Sequence, residues 1–276
     1  MSIFTPPKAF GLPLIAAVSL LSLSSAQAAL IDVSNGQIYD DDLNVYWVKD
    51  ANFFKTLADR HPGGAEALVR GVISGVRGVV HDTPNAYDNA GPGNYRLSAT
   101  DFDTTTGAMN WWGAQAFVTY VNSHVRFGDG ATGWRLPTTY ELSTGAPGSE
   151  LRHLFFNELG GRSDRPITST HARAANYDLF QNVRSDFYWL GDTEYPANAK
   201  YVEVFSTATG RRGLGFDKTS KAYVWSVRTA PVAVVPLPGA WVLFASASAG
   251  LGWLAGSRKK PSGTRRVLGM GAASGR

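Results

Sequence analysis

The chain has 276 residues, no cysteine, and 26 Lys+Arg against 22 Asp+Glu. The missing thiols exclude disulfides, thiolate metal sites and a cysteine nucleophile. A charged fraction of 17% alongside 30 glycines excludes a coiled coil or an acidic disordered tail, and the length suits one or two domains with a proper core.

The first segment reads as an address. Lys8 is the only side-chain charge before Asp32, Ala9–Leu23 is mostly apolar, and Ala26-Gln27-Ala28 is an A-x-A cleavage signal. This pattern predicts a secretory signal peptide over 1–28, with cleavage after Ala28.

The body opens with two predicted strands in Gln37–Asp50, joined by the acidic turn Asp40-Asp41-Asp42. Ala65–Val80 carries a helical stripe of Leu68, Val72, Ile73, Val76 and Val79, weakened by three glycines. His81–Gly107 has turn-forming composition and no period, so it is expected to be loop. Asn110 is a predicted N-cap for a helix whose one face holds Trp112, Ala116, Phe117, Tyr120 and Val121. Trp111, its neighbour, then turns away from that face and is expected to be exposed.

In Gly133–Thr138, Trp134 and Leu136 offer apolar anchors while Arg135 points the other way. Pro137 fixes φ, and Thr138 with Glu141 is expected to form a capping box opening a short helical turn. A third helix is predicted near Ser149–Leu159, capped by Ser149 and ended by Gly160. Beyond Asp186, Phe187–Leu190, Tyr201–Phe205, Gly213–Phe216 and Tyr223–Arg228 read as strands. The order is strands, helices, then strands, which is an α+β pattern.

The other end has three parts. Val235-Pro236-Leu237-Pro238 comes first, then charge-free Gly239–Ser257, then Arg258-Lys259-Lys260. About 19 apolar-leaning residues suffice for a transmembrane helix, and the basic cluster places its far end in the cytoplasm. Residues 261–276 follow as a basic, Gly-rich tail expected to be disordered. Removing the seven basic residues of residues 1–28 and 239–276 leaves 19 Lys+Arg against 22 Asp+Glu. The basic balance therefore belongs to the two ends, and no nucleic-acid partner is expected.

The chemistry-bearing residues are dispersed. The five histidines show no H-E-x-x-H spacing, and no G-x-S-x-G elbow occurs. The carboxylates of Asp40–Asp42, or of Asp101 and Asp103, could hold Ca²⁺, although neither run follows an EF-hand and a solvated turn is the plainer reading. Among the aromatics, Trp111 is the best candidate for stacking on a sugar. Arg211 and Arg212, expected in a turn between strands, could meet an anionic polysaccharide; a solvated hairpin tip is the alternative.

Two resemblances cover the chain. Val235–Pro238, the apolar run and Arg258–Lys260 resemble the PEP-CTERM sorting signal in its VPLP variant, spanning about 231–260. That implies an exosortase-type processing protease and a route through the inner membrane, with transient anchoring, to the surface of a Gram-negative cell. The body, 29–230, resembles the Lcl C-terminal domain family. The matches are Tyr39–Trp47, Met109–Ala116, the hallmark Trp134-Arg135-Leu136-Pro137-Thr138 with Glu141, Ser149–Gly160, Phe187-Tyr188-Trp189 with Thr193–Tyr195, and Tyr223–Arg228. Residues from about 58 to 107 stand as an inserted segment. This resemblance implies a C-type-lectin-like fold shared with formylglycine-generating enzymes, with short antiparallel strands and two to three helices. Those enzymes need active-site cysteines, so zero cysteines exclude their activity. One departure concerns a serine pair of the family, replaced here by Leu190 and Gly191. The expectation is a secreted, biofilm-associated, non-enzymatic module binding exopolysaccharide or other glycans. The alternatives are a structural surface protein and a cysteine-free enzyme.

Overall fold

The computed structural model describes residues 30–141, 147–169, 174–194 and 198–231. The cleavage pair Ala26 and Ala28, the sorting residues Val235–Pro238 and Arg258–Lys260, and the expected membrane helix lie outside these residues. Among the described residues, no helix is long and apolar enough to cross a membrane.

Short strands come first: β1 (Leu30–Asp32), β2 (Gln37–Asp40) and β3 (Val45–Val48). Two helices follow, α1 (Phe53–Arg60) and α2 (Ala65–Gly75). The hairpin β4 (Val79–His81) and β5 (Asn94–Arg96) leads to the long helix α3 (Trp111–His124). A second hairpin, β6 (Thr139–Glu141) and β7 (Pro147–Ser149), runs into the single turn α4 (Glu150–His153). After another turn, α5 (Ala174–Tyr177), come β8 (Phe187–Glu194), β9 (Tyr201–Ser206), β10 (Arg211–Asp217) and β11 (Val227–Thr229).

The strands form antiparallel sheets ordered β1-β2-β3-β11 and β10-β9-β8, plus the two hairpins. This is a mixed α+β architecture. β11 lies beside β3 with Val227 opposite Trp47, so residues far apart in sequence close the first sheet. The hallmark segment extends that edge, because Arg135 and Val227 exchange two backbone hydrogen bonds of 2.8 and 2.9 Å.

Aromatic residues fill the core. One cluster packs Phe54 of α1, Val72 of α2, Phe117 of α3 and Trp189 of β8; the other packs Trp47, Trp225, Leu151, Phe155 and Phe205. Trp47 meets Trp225 edge to face at 5.8 Å, and Phe54 meets Phe117 at 5.2 Å. Each such ring removes roughly 150–250 Å² from water, which at ~25 cal/mol per Å² is about 4–6 kcal/mol. The expected insertion is part of this packing: Leu68, Val69, Val72, Val80, Leu97 and Phe102 all belong to the first cluster.

Several predicted features hold. Asn110 accepts from the Gly113 N–H at 2.9 Å, and Ser149 from the Arg152 N–H at 3.1 Å, so both are N-caps. Leu151, Leu154, Phe155 and Leu159 are buried, and Gly160 leaves the helix at φ +67°. Other features differ. Helix α1 lies where no helix was expected, and the expected loop contains β5 and a short helical turn at Ala99–Asp101. Thr138 and Glu141 do not cap a helical turn, since 139–141 is strand β6. The acid that serves Thr138 comes from further along: Glu150 accepts the Thr138 N–H at 2.7 Å.

Candidate functional site

A groove runs along α3. Its larger part, about 730 Å³, is lined by the α2–β4 corner (Val76, Arg77), β4 (His81, with Asp82) and the α3 residues Trp111, Gln115 and Thr119. A smaller part, about 250 Å³, is lined by Asn122, the hallmark residues Trp134, Arg135, Leu136 and Thr138, and again Gln115 and Thr119. Gly191 lines both parts.

The sequence builds each wall by local rules. Helix α2 stops at a Schellman-type ending, in which the Gly78 N–H reaches the Ile73 carbonyl at 2.9 Å. This turn forces Arg77 to φ +55°, a conformation that costs a non-glycine residue roughly 1–2 kcal/mol. Arg77 is exposed and makes no ion pair among the described residues. On the opposite wall, the last turn of α3 clamps the extended hallmark segment. The Asn122 side chain accepts from the N–H groups of Gly133 and Trp134 and donates to the Trp134 carbonyl, at 2.8–2.9 Å.

Under the larger part lies a buried polar knot. Asp82 accepts from Lys218 Nζ at 2.7 Å and from the Trp112 indole N–H at 2.9 Å. Lys218 is fully buried and sits 6.0 Å from the Trp111 ring centre and 5.9 Å from that of Trp112. Tyr95 stacks on Trp112 at 3.7 Å and donates to Asp101. Burial, then the Asp101 charge, pushes the Tyr95 hydroxyl up to about 12.

The sequence-predicted contacts fare unequally. Trp134 and Leu136 are buried anchors as expected. Arg135 does point away from them, and Glu150 takes it in a bidentate pair at 2.7 Å. Trp111 is not exposed; it retains 3% of its surface. The start of α3 is covered on two sides: Trp189 packs edge-on against Trp111 at 5.6 Å, while Tyr95 and Tyr87 cover Trp112. A one-faced helix was the wrong premise there, and Trp111 offers the groove only an edge. Arg211 and Arg212 are not in a turn but open β10, and both are engaged. Arg211 forms two hydrogen bonds of 2.7 and 2.8 Å to Asp164, and Arg212 lies 3.2 Å from Glu203.

A second polar cluster stands apart from the groove's lining. Asp42, His153 and Glu158 bring one ligand atom each to within 4.8 Å of one another. The Asp40 carboxylate beside them is already occupied by the Leu43 N–H and the Trp47 indole N–H. Burial acts to lower the His153 pKa, but Glu158, Asp40 and Asp42 outweigh it and hold the imidazole above its usual value. Burial likewise raises that of Asp40.

Antiparallel sheets around three main helices, with an open groove beside a clamped Trp-Arg-Leu-Pro-Thr segment, define a mixed α+β module. The chain belongs to the Lcl C-terminal domain family, whose model matches residues 36–228. No curated protein and no solved structure matches it.

Proposed function

We propose that this chain is an exported, surface-sorted, non-enzymatic module that binds an acidic exopolysaccharide in the groove along α3, on a C-type-lectin-like variant of the α+β fold. The observation that carries the reading is the groove itself. It is long and open, and its walls carry hydrogen-bonding side chains (Arg77, His81, Gln115, Thr119, Asn122, Thr138) beside the edges of Trp111 and Trp134. Sugars are held by such mixtures of apolar surface and directed polar groups. Its charges favour an anion. The Asp82 carboxylate is neutralised from beneath by Lys218, and Arg135 by Glu150, whereas Arg77 at the rim has no such partner among the described residues. Family membership supports the binding module, and the two-ended address in the sequence supports export, exosortase processing and release at the cell surface.

The test is a panel of acidic and neutral polysaccharides presented to the purified full-length chain. Acidic polysaccharide is expected to bind. Thr119→Trp, which fills the groove from an exposed helix position, and Arg77→Glu, which reverses its rim charge, are each expected to weaken binding at least tenfold. No binding across the panel by a protein folded by circular dichroism sinks the proposal.

The structural-protein reading has one observation behind it, the exposed Leu214 on edge strand β10. The bulge between Gly213 and Phe216 disrupts that edge and disfavours strand-to-strand assembly. Self-association at micromolar concentration without glycan is the outcome that would revive it.

A further inference from the structure

The geometry points to a divalent transition-metal site of the Zn²⁺ kind at Asp42, His153 and Glu158, joining the β2–β3 turn to the end of α4 and the turn that follows it. Its distances fit. His153 Nε2 lies 3.5 Å from an Asp42 carboxylate oxygen and 3.5 Å from Glu158 Oε1. Two ligands at 2.0–2.2 Å from a tetrahedral ion stand about 3.4 Å apart. The same 3.5 Å is long for a hydrogen bond, and none forms: His153 Nε2 and both Glu158 carboxylate oxygens are buried without a hydrogen-bond partner.

Glu158 is the decisive residue. It is 1% exposed, neither of its oxygens is hydrogen-bonded, and its ion pair with His153 is long at 3.5 Å, so the burial of its charge, which costs several kcal/mol, is poorly offset. The flanking arginines do not help, because Arg152 lies over the Phe156 ring at 4.9 Å and Arg162 is exposed and makes no ion pair among the described residues. A cation bound between Glu158, His153 and Asp42 gives the two carboxylates a closer countercharge than the imidazole at 3.5 Å.

The backbone is shaped for this meeting. His153 and Glu158 are five residues apart, which an α-helix would separate by about 140° around its axis. Here Leu154–Glu158 is a π-helical turn, closed by the Leu159 N–H on the Leu154 carbonyl at 2.9 Å. Widening the turn brings residues five apart onto one side, and such π-turns recur at functional sites. The Asx-type hydrogen bonds of Asp40 hold the opposing turn in place while Asp42 stays half exposed at its tip.

The donor set selects the ion. One imidazole and two carboxylates suit Zn²⁺, Co²⁺ or Mn²⁺, whereas Ca²⁺ takes six to eight oxygens. The candidate is therefore a softer metal than the Ca²⁺ weighed for the Asp40–Asp42 run, and it shares only Asp42 with that run. Three protein ligands leave a fourth position for water or an incoming oxygen ligand.

The experiment uses untagged full-length chain, stripped with chelator and dialysed against Zn²⁺, with bound metal counted by plasma mass spectrometry. One Zn²⁺ per chain is expected, with a rise in the thermal midpoint of roughly 5–10 °C at a hundredfold excess over Kd. Co²⁺ in its place should give the visible absorption of a tetrahedral N/O site. Glu158→Gln and Asp42→Asn should each weaken binding at least tenfold. Asp42 sits at an exposed turn, so its variant decides the matter even where the Glu158 variant fails to fold. Absence of stoichiometric Zn²⁺, or affinity unchanged by Asp42→Asn, overturns the site. The outcome is independent of glycan binding, which involves none of these residues.

Discussion

Arg135 and Glu150 face each other through two parallel hydrogen bonds of 2.7 Å, and the same carboxylate accepts the Thr138 N–H at 2.7 Å. One acid thus organises both ends of the hallmark segment and fastens it to the first turn of α4. The Glu150 side chain is 8% exposed and that of Arg135 33%. Truncating Arg135 strands a nearly buried carboxylate, at a cost of about 3 kcal/mol, the lower end for a broken buried pair. Arg135→Ala is therefore expected to lower the thermal midpoint by roughly 6–12 °C. Arg135→Lys keeps the charge but loses the fork and should fall between. Thermal unfolding followed by circular dichroism measures both, and an unmoved midpoint in Arg135→Ala would contradict this role.

Arg77 combines backbone strain with a place on the rim of the proposed binding groove. Its φ of +55° is imposed by the turn that ends α2, and glycine adopts it without penalty. Arg77→Gly should raise stability by about 1 kcal/mol, the cost of the left-handed conformation. The same change removes from the groove rim a cation that has no ion-pair partner among the described residues. A variant that becomes more stable while binding acidic polysaccharide less tightly is the expected pair of results. Greater stability with undiminished binding would remove Arg77 from the site.

Alkaline pH tests the knot beneath the groove. An unfolded tyrosine loses its proton near pH 10, whereas burial and the Asp101 charge hold Tyr95 protonated up to about 12. Between those values the unfolded chain binds fewer protons than the native one, so stability falls as pH rises. Burial raises Tyr188 in the same direction. Tyr95→Phe should therefore flatten, without abolishing, the loss of stability above pH 10. At neutral pH it should cost about 1 kcal/mol for the hydrogen bond to Asp101. Urea unfolding at pH 7, 10 and 11 separates the two effects; an unchanged slope above pH 10 would count against the assignment.

How much of this could be read from the chain follows from how local each feature is. The caps Asn110 and Ser149 act within three residues, and the stripe Leu151, Leu154, Phe155 and Leu159 is dense, so both helix starts were legible. Helix α1 buries only Phe54 and Ala58, too few for a period to show. Hairpin β6–β7 pairs Tyr140 with Gly148, and its threonine, glycine and proline composition is that of a turn. The burial of Trp111 depends on Trp189, a residue of the distant strand β8. The metal cluster was least legible. Asp42 meets His153 only through the fold, and the five-residue spacing of His153 and Glu158 has meaning only in a π-turn. Spacing that violates the α-helical period inside an otherwise regular helix is the one signal that could have marked it.

Gly191 lines both parts of the groove. Its N–H donates to the Pro137 carbonyl at 2.7 Å, which draws β8 tightly against the hallmark segment. A Cβ at this position would lie 3.0 Å from Leu136 Cβ and 3.2 Å from the Leu136 carbonyl oxygen, closer than side chains ordinarily pack. Leu136 is 3% exposed and Asn122 clamps its segment through Trp134, so the segment cannot yield freely. Gly191→Ser should therefore cost about 1–2 kcal/mol by overpacking. It should also narrow the groove where its two parts join, at Gln115 and Thr119. The expected result is a modest fall in the urea midpoint with a loss of affinity concentrated on long polysaccharides, while fragments short enough for one part alone bind as before. Equal weakening for long and short ligands would show that the two parts do not act as one groove.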